Sequence, residues 1–374
     1  MAKARERINA ALGLAPGADL RPLLGNDLVV ARTQDGLLGA WVVKDEAALR
    51  AIVRRRPPSP DVRIVVRGPL VVAGTPGAVR EALATKARQA GMTRRLFEER
   101  LLGMRANALV RGEANAALIP TAQRSRFPWV RSLRRVAFSV LADDRGLHAG
   151  VRATTAPTPP DAVPIATGAD APLVLDHGSG ISVGIRDLRH TIRAGLAALK
   201  TSDPATYRRY DLARRALKLF RRGDIDHDVI DQLGGDATLW SPDLRSLTLT
   251  ARVSDPGRMA HALNGLKPLM GRLLTAAGLD GARYGVVGDT LVITTIPGVA
   301  LAGVAAGRLQ RVGELNGAVV GLARGPSLRQ ILIDRLGLPP LASIALGPLG
   351  DASFSIETSA TGLVGGADLA ISGG

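Results

Sequence analysis

Asp224-Ile225-Asp226-His227-Asp228 holds a dense set of oxygen and nitrogen donors, the raw material of a cation site. A helix–loop–helix calcium loop needs glycine at its sixth position and a bidentate acid at its twelfth. Those places hold Val229 and Gly235. The stretch therefore reads as a helix start, with acids beside the positive end of the dipole and Val229, Ile230 and Leu233 turned inward. His177-Gly178-Ser179-Gly180 opens like a phosphate loop, but a dinucleotide fingerprint wants a further glycine where Val183 stands. His148, His177, His190, His227 and His261 are scattered, with no metal-ligand spacing and no triad context. Cysteine is absent, which excludes disulfides, thiolate metal sites and cysteine nucleophiles. No residue is assigned to catalysis, a metal or a cofactor, and the expected protein is not an enzyme.

Two basic features remain. Arg124, Arg126, Arg131, Arg134 and Arg135 surround Phe127-Pro128-Trp129, and Arg54-Arg55-Arg56 closes an earlier helix. Basic residues around an aromatic suit a lipid headgroup layer or a stacked base; a tryptophan packed in the core with solvated arginines around it has the same sequence. The helix over 204–222 carries Arg208, Arg214, Arg215, Lys218, Arg221 and Arg222 mainly opposite Leu212, Ala216, Leu219 and Phe220. That pattern fits a membrane surface, and equally any helix that covers a sheet. The expected anionic-surface set is Arg54, Arg55, Arg56, Arg124, Arg126, Trp129, Arg131, Arg134 and Arg135.

The net charge of +16 is unevenly placed: residues 1–155 carry 27 Lys and Arg against 13 Asp and Glu, the remainder 22 against 20. An anionic lipid surface, an acidic polymer or, less favoured, nucleic acid would answer that imbalance. Only six of the basic residues are lysine, and an arginine excess with abundant alanine and glycine is also what a GC-rich genome produces. Hydrophobic content of 46% marks a globular chain, and 3% aromatic content builds its core from Leu, Val, Ile and Ala. No apolar run reaches the length of a membrane span; Leu336 to Leu349 is broken by Pro339, Pro340 and Pro348.

The elements that would position these residues recur. Leu24-Gly25-Asn26-Asp27 before an apolar strand returns as Leu233-Gly234-Gly235-Asp236. A strand ending in Lys44-Asp45-Glu46 returns as one ending in Ser254-Asp255, each Asp placed to cap the next helix. The β-branched hairpin around Gly68 returns around Gly288, followed by Thr75-Pro76-Gly77 and Ile296-Pro297-Gly298. Phe138 and Gly146 return as Phe354 and Gly362, both 216 residues on. An ordered series of this kind predicts two copies of one module.

The fold class expected is α+β: two tandem copies, each a mainly antiparallel sheet with helices packed on one face. The first copy spans 1–155, a Pro-rich connector 156–170, and the second copy 171–374. Within the first, Ala108 to Val110 reads as a short strand and Glu113 to Thr121 as a short helix. The second copy has a strand and helices ahead of its Gly-x-Asp that the first lacks, so the expectation is a front end missing a strand and a helix.

Leu-Gly-x-Asp before an apolar strand, the Asp-capped helix after the next, and the Val-x-Gly-x-x-Val-Val hairpin together resemble the bacterial, largely actinobacterial, domain-of-unknown-function 3352 family. The likeness spans nearly the whole chain. It implies an exported or membrane-anchored protein and no catalytic residues. The expected function is a non-enzymatic, cell-envelope-associated binding or structural protein with a basic N-terminal half. An intracellular, cytoplasmic nucleic-acid-binding protein is the alternative, and an enzyme with an unrecognised site the third class.

Overall fold

The computed structural model describes residues 28–371, apart from 34, 56–59, 88–93, 102, 119–127, 160–161, 169, 220–222, 277–278, 337–345 and 360. The chain forms two compact units, Met1–Phe97 and Glu98–Gly374. Among the described residues no helix is long and apolar enough to cross a membrane.

In the first unit β1 (Leu28–Thr33) and β2 (Gly36–Val42) form a hairpin across Asp35-Gly36. Helix α1 (Glu46–Arg55) follows, then the hairpin β3 (Arg63–Arg67) and β4 (Leu70–Gly74), and α2 (Pro76–Ala87). The sheet order is β1-β2-β4-β3. Val43, Leu49 and Val71 form the core under α1, with Trp41, Val53, Ile64 and Val66 packed around them. The Oδ1 of Asp45 accepts the N–H of Ala48 at 2.8 Å, which caps α1.

Helix α3 (Arg94–Arg100) leads into the second unit. Then come β5 (Val110–Asn115), α4 (Pro128–Ser132), β6 (Leu133–Ala142), β7 (Gly146–Thr155), β8 (Val174–Leu175) and β9 (Ile181–Ile185). Next are α5 (Leu188–Ser202), α6 (Pro204–Leu219), β10 (Ala237–Ser241), β11 (Thr248–Arg252) and α7 (Pro256–Ala276). The chain closes with β12 (Arg283–Val287), β13 (Thr290–Thr294), α8 (Leu301–Ala305), β14 (Leu309–Gln310), β15 (Val319–Ala323), α9 (Gly325–Leu336), β16 (Leu349–Ser359) and β17 (Gly362–Ile371). Eleven strands form one sheet, β12-β13-β11-β10-β9-β15-β16-β17-β7-β6-β5, with every pair antiparallel.

The largest core joins α5 and α7 to this sheet through Leu188, Met259, Leu263, Ala251 and Leu291. The other face of the same strands is covered too. Val292 and Thr294 are fully buried there, and α8 sits close enough that a Cβ on Gly285 would meet Leu301 at 3.1 Å. Helices thus lie on both faces at this end of the sheet. The three consecutive apolar residues Leu291-Val292-Ile293 give β13 a side chain to pack on each face.

The sequence puts the division in the connector 156–170, whereas the compact units divide at Phe97 and Glu98. The reason is the β7–β17 ladder: it joins the hairpin of residues 133–155 to the closing hairpin, so residues 98–155 pack as part of the second unit. Glu113 lies in β5 rather than a helix, because Val110–Asn115 pair in unbroken register with β6.

Two local arrangements recur. The order β1-β2-β4-β3 reappears as β10-β11-β13-β12. Val43 N–H donates to the Pro69 carbonyl at 2.7 Å as Val253 N–H donates to Asp289 at 2.9 Å; Thr75 donates to Leu37 as Thr295 does to Leu247. Gly112 faces Phe138 across β5–β6 as Gly321 faces Phe354 across β15–β16. The ring occupies the space a side chain would need: a Cβ would fall 2.3 Å from Phe138 and 2.0 Å from Phe354. The β7–β17 ladder is its own two-fold image, centred on Gly150 opposite Gly366, with Gly146 opposite Ala370 and Thr154 opposite Gly362.

Candidate functional site

Of the nine residues expected on an anionic surface, Arg54 lies in the first unit and Trp129, Arg131, Arg134 and Arg135 lie in the second. Arg56, Arg124 and Arg126 lie outside the described residues, as does the side chain of Arg55. Arg54 is exposed on the last turn of α1, its Nε donating to the Arg50 carbonyl at 3.4 Å. In the second unit Trp129, Arg131, Arg134 and Arg135 share the short run from α4 into β6. Trp129 is half-buried and lines a small cavity with Leu133, Ala153 and Leu363, so its ring packs inward. Arg135 lies 2.6 Å from Glu113, which also pairs with Arg100 at 3.4 Å. Arg131 and Arg134 are exposed.

The basic face of α6 is answered by the acidic stretch after it. Arg214 bridges Asp211, at 2.7 Å, and Asp226; Arg215 pairs with Asp211 at 2.7 Å and Lys218 with Asp224 at 2.8 Å. Asp226 also accepts the Tyr210 hydroxyl at 3.1 Å. The Lys218 ammonium holds the Asp224 carboxyl below its usual range, and Asp224 in turn raises Lys218. Residues 225–229 form a single wide turn and 230–233 a tight one in place of a regular helix start. The two features read separately from sequence are therefore one ion-pair network, which fastens α6 to the following turn.

His177-Gly178-Ser179-Gly180 is likewise tied to the fold. Asp176 accepts the Gly178 N–H at 3.1 Å, and the Gly180 N–H donates to Ser327 Oγ at 2.7 Å. Trp240 Nε1 donates to the Ser179 carbonyl at 2.9 Å, and the Trp240 ring lies against His177, tilted by 39° with ring centroids 4.1 Å apart. Arg324 bridges Asp176 and Asp351 at 2.9 and 2.8 Å behind the loop. No Gly-x-Ser-x-Gly elbow was expected from the sequence, yet Gly180-Ile181-Ser182-Val183-Gly184 has that spacing. Ser182 is buried in the middle of β9, and its hydroxyl donates to the Leu175 carbonyl at 2.5 Å. An elbow needs a sharp strand-to-helix turn that exposes the serine, and β9 continues through it.

His148 joins the two long hairpins. Its Nδ1 lies 2.6 Å from Asp368 on β17 and its Nε2 3.1 Å from Asp143 in the β6–β7 turn. The hydrogen bond with Asp368, then that with Asp143, raises the imidazole above its ordinary value. The N–H of Arg145, and then His148, hold Asp143 below the usual carboxylate range. A raised folded-state value means that the stabilisation is complete below about pH 6.5 and is lost as pH rises through the raised value. The urea midpoint of the second unit is expected to fall as pH goes from about 6 to 8, and His148→Gln to remove that part of the fall.

In the first unit an apolar cavity of about 170 Å³ opens between β3, β4 and α2, lined by Val65, Leu70, Val72, Ala82 and Leu83 with Arg67 at its rim. Sequence reasoning did not find it, since the β-branched residues around Gly68 read only as a hairpin. No family model matches the chain, and no curated protein or solved structure matches it either.

Proposed function

We propose that the chain is two copies of one α+β module acting as a non-enzymatic binding or structural protein of the cell envelope, its basic N-terminal half set against an anionic lipid surface. The repeated strand order, the paired backbone bonds and the two Gly–Phe pairs support the two-copy reading. The resemblance of the motif order to the 3352 family supports the envelope location.

The observation that carries the surface reading is the cavity under Arg67. It takes a few methylenes, and the exposed guanidinium at its rim answers an anionic headgroup, in the half of the chain with the charge excess. Arg63, exposed two pleats along β3, adds to the same edge.

The test is co-sedimentation with vesicles of phosphatidylcholine, with and without phosphatidylglycerol. Binding is expected only with the anionic lipid and to weaken as salt rises. Each of Arg63→Ala and Arg67→Ala should lower it roughly fivefold, from about 1 kcal/mol per basic residue near the surface. Salt-sensitive binding to mixed-sequence DNA without vesicle binding would select the nucleic-acid alternative.

A further inference from the structure

The second unit shows what borders β10. Strand β9 pairs with it residue for residue, Ile185 opposite Ala237 and Val183 opposite Leu239, and pairs on its other side with β15. Under that cover Ala237 is 1% exposed and Thr238 5%. In the two-copy reading β1 is the counterpart of β10, since Leu28 opposite Trp41 matches Ala237 opposite Ala251. Yet β1 pairs only with β2 among the described residues. Leu28, Val29 and Val30, which stand where Ala237, Thr238 and Leu239 do, are 55%, 63% and 64% exposed.

Three consecutive large apolar residues on an open strand edge are a template for another strand. Natural edges are usually blunted by charge, proline or a bulge; β1 has no proline or bulge, and its charge comes only at Arg32, after Leu28–Ala31.

We propose that the free edge of β1 is an acceptor for an extended, antiparallel, apolar β-strand with the alternation of β9, Ile181-Ser182-Val183-Gly184-Ile185. Main-chain hydrogen bonds supply the affinity, as in strand-addition complexes generally. In the register of β9 on β10, Ile185 and Val183 of such a strand cover Leu28 and Val30 on one face, and Gly184 lies beside Val29 on the other. In the second unit β5 pairs only with β6 among the described residues, and Leu109 before it and Val110 at its start are 70% and 51% exposed. This inference rests on the two-copy reading and not on the anionic surface, so a failure of vesicle binding leaves it standing.

The experiment adds a synthetic peptide of residues 179–186 (Ser-Gly-Ile-Ser-Val-Gly-Ile-Arg) to the full chain and follows backbone hydrogen exchange. The expected result is saturable binding, with alternate amides of β1 exchanging at least tenfold more slowly. The same peptide carrying Val183→Pro, which lacks a ladder donor, should give neither. Slowing at β5 as well would extend the acceptor role to that edge. Absence of saturable binding, protection confined to β9 and β10 by strand exchange, or equal protection by the proline peptide would each overturn the proposal. So would protection of β1 by self-association of the chain without peptide.

Discussion

Gly146→Ala is expected to cost the second unit about 3 kcal/mol. Gly146 begins β7 at φ 151°, in the region that side chains rarely adopt, and a Cβ there would fall 2.0 Å from the Leu369 carbonyl oxygen on β17. The obstacle is backbone, held by its own ladder, so it cannot rotate away as a side-chain tip would. Overpacking of this kind costs about 1–3 kcal/mol, and the unfavourable backbone conformation adds about 1–3 more before relaxation. The counterpart contact, Gly362 against the Ala153 carbonyl at 2.2 Å, makes Gly362→Ala a second test of the same close approach. Gly288→Ala is the control: φ is 59° with nothing within 4 Å, so only the left-handed strain of about 1 kcal/mol remains. Urea unfolding of the three variants should rank them in that order.

Met259→Ala should destabilise the second unit by a similar amount, about 3 kcal/mol, through a cavity instead of a clash. Met259 has no exposed surface and stands where α7 meets the sheet, among Leu188, Leu233, Val253, Leu263 and Leu291. These neighbours come from five different segments, so none can close over the gap without disturbing its own strand or helix. Leu212→Ala on α6 removes a side chain that is 67% exposed and should change stability by less than about 0.5 kcal/mol. A Met259→Ala variant as stable as the Leu212→Ala variant would mean that α7 does not seat on the sheet through this residue.

The hairpins were legible because their turns are chemical. Asp35-Gly36 supplies the positive φ the β1–β2 connection needs, and Gly288 does the same between β12 and β13. The capping carboxylates of Asp45 and Asp255 were equally plain, each accepting an N–H three residues on. Strand β5 was read as a short strand and then a helix because Arg111, Glu113 and Asn115 alternate polar groups where a buried strand shows apolar ones. Their partners, Glu98 for Arg111 and both Arg100 and Arg135 for Glu113, are separated in sequence and meet only in the fold.

The division at Phe97 was hidden for a related reason. Proline marks a stiff segment in the sequence, but it does not say which strands pair across it. Ala156 donates to the Ser132 carbonyl at 2.7 Å, so the connector starts as an extension of the hairpin before it. For the candidate site, charge spacing located arginines, but not the carboxylates that occupy them. Long-range pairing decided that Arg135 and Arg214 are held within the fold while Arg67 faces outward.

The two long hairpins pair about Gly150 and Gly366, and the absence of native cysteine makes that pairing directly testable. Ala149 and Ala367 stand opposite each other on β7 and β17, both small and both exposed. Directly opposed strand residues have Cα atoms about 4.5–5.5 Å apart, within reach of a disulfide. The chain carrying Ala149→Cys and Ala367→Cys should oxidise in air to an intramolecular disulfide, seen by mass after mild digestion. Moving one partner two residues along, to Gly365→Cys, should abolish ready closure. Closure of the offset pair in preference to the aligned one, or of neither, would contradict the β7–β17 register and the two-copy proposal that draws on it.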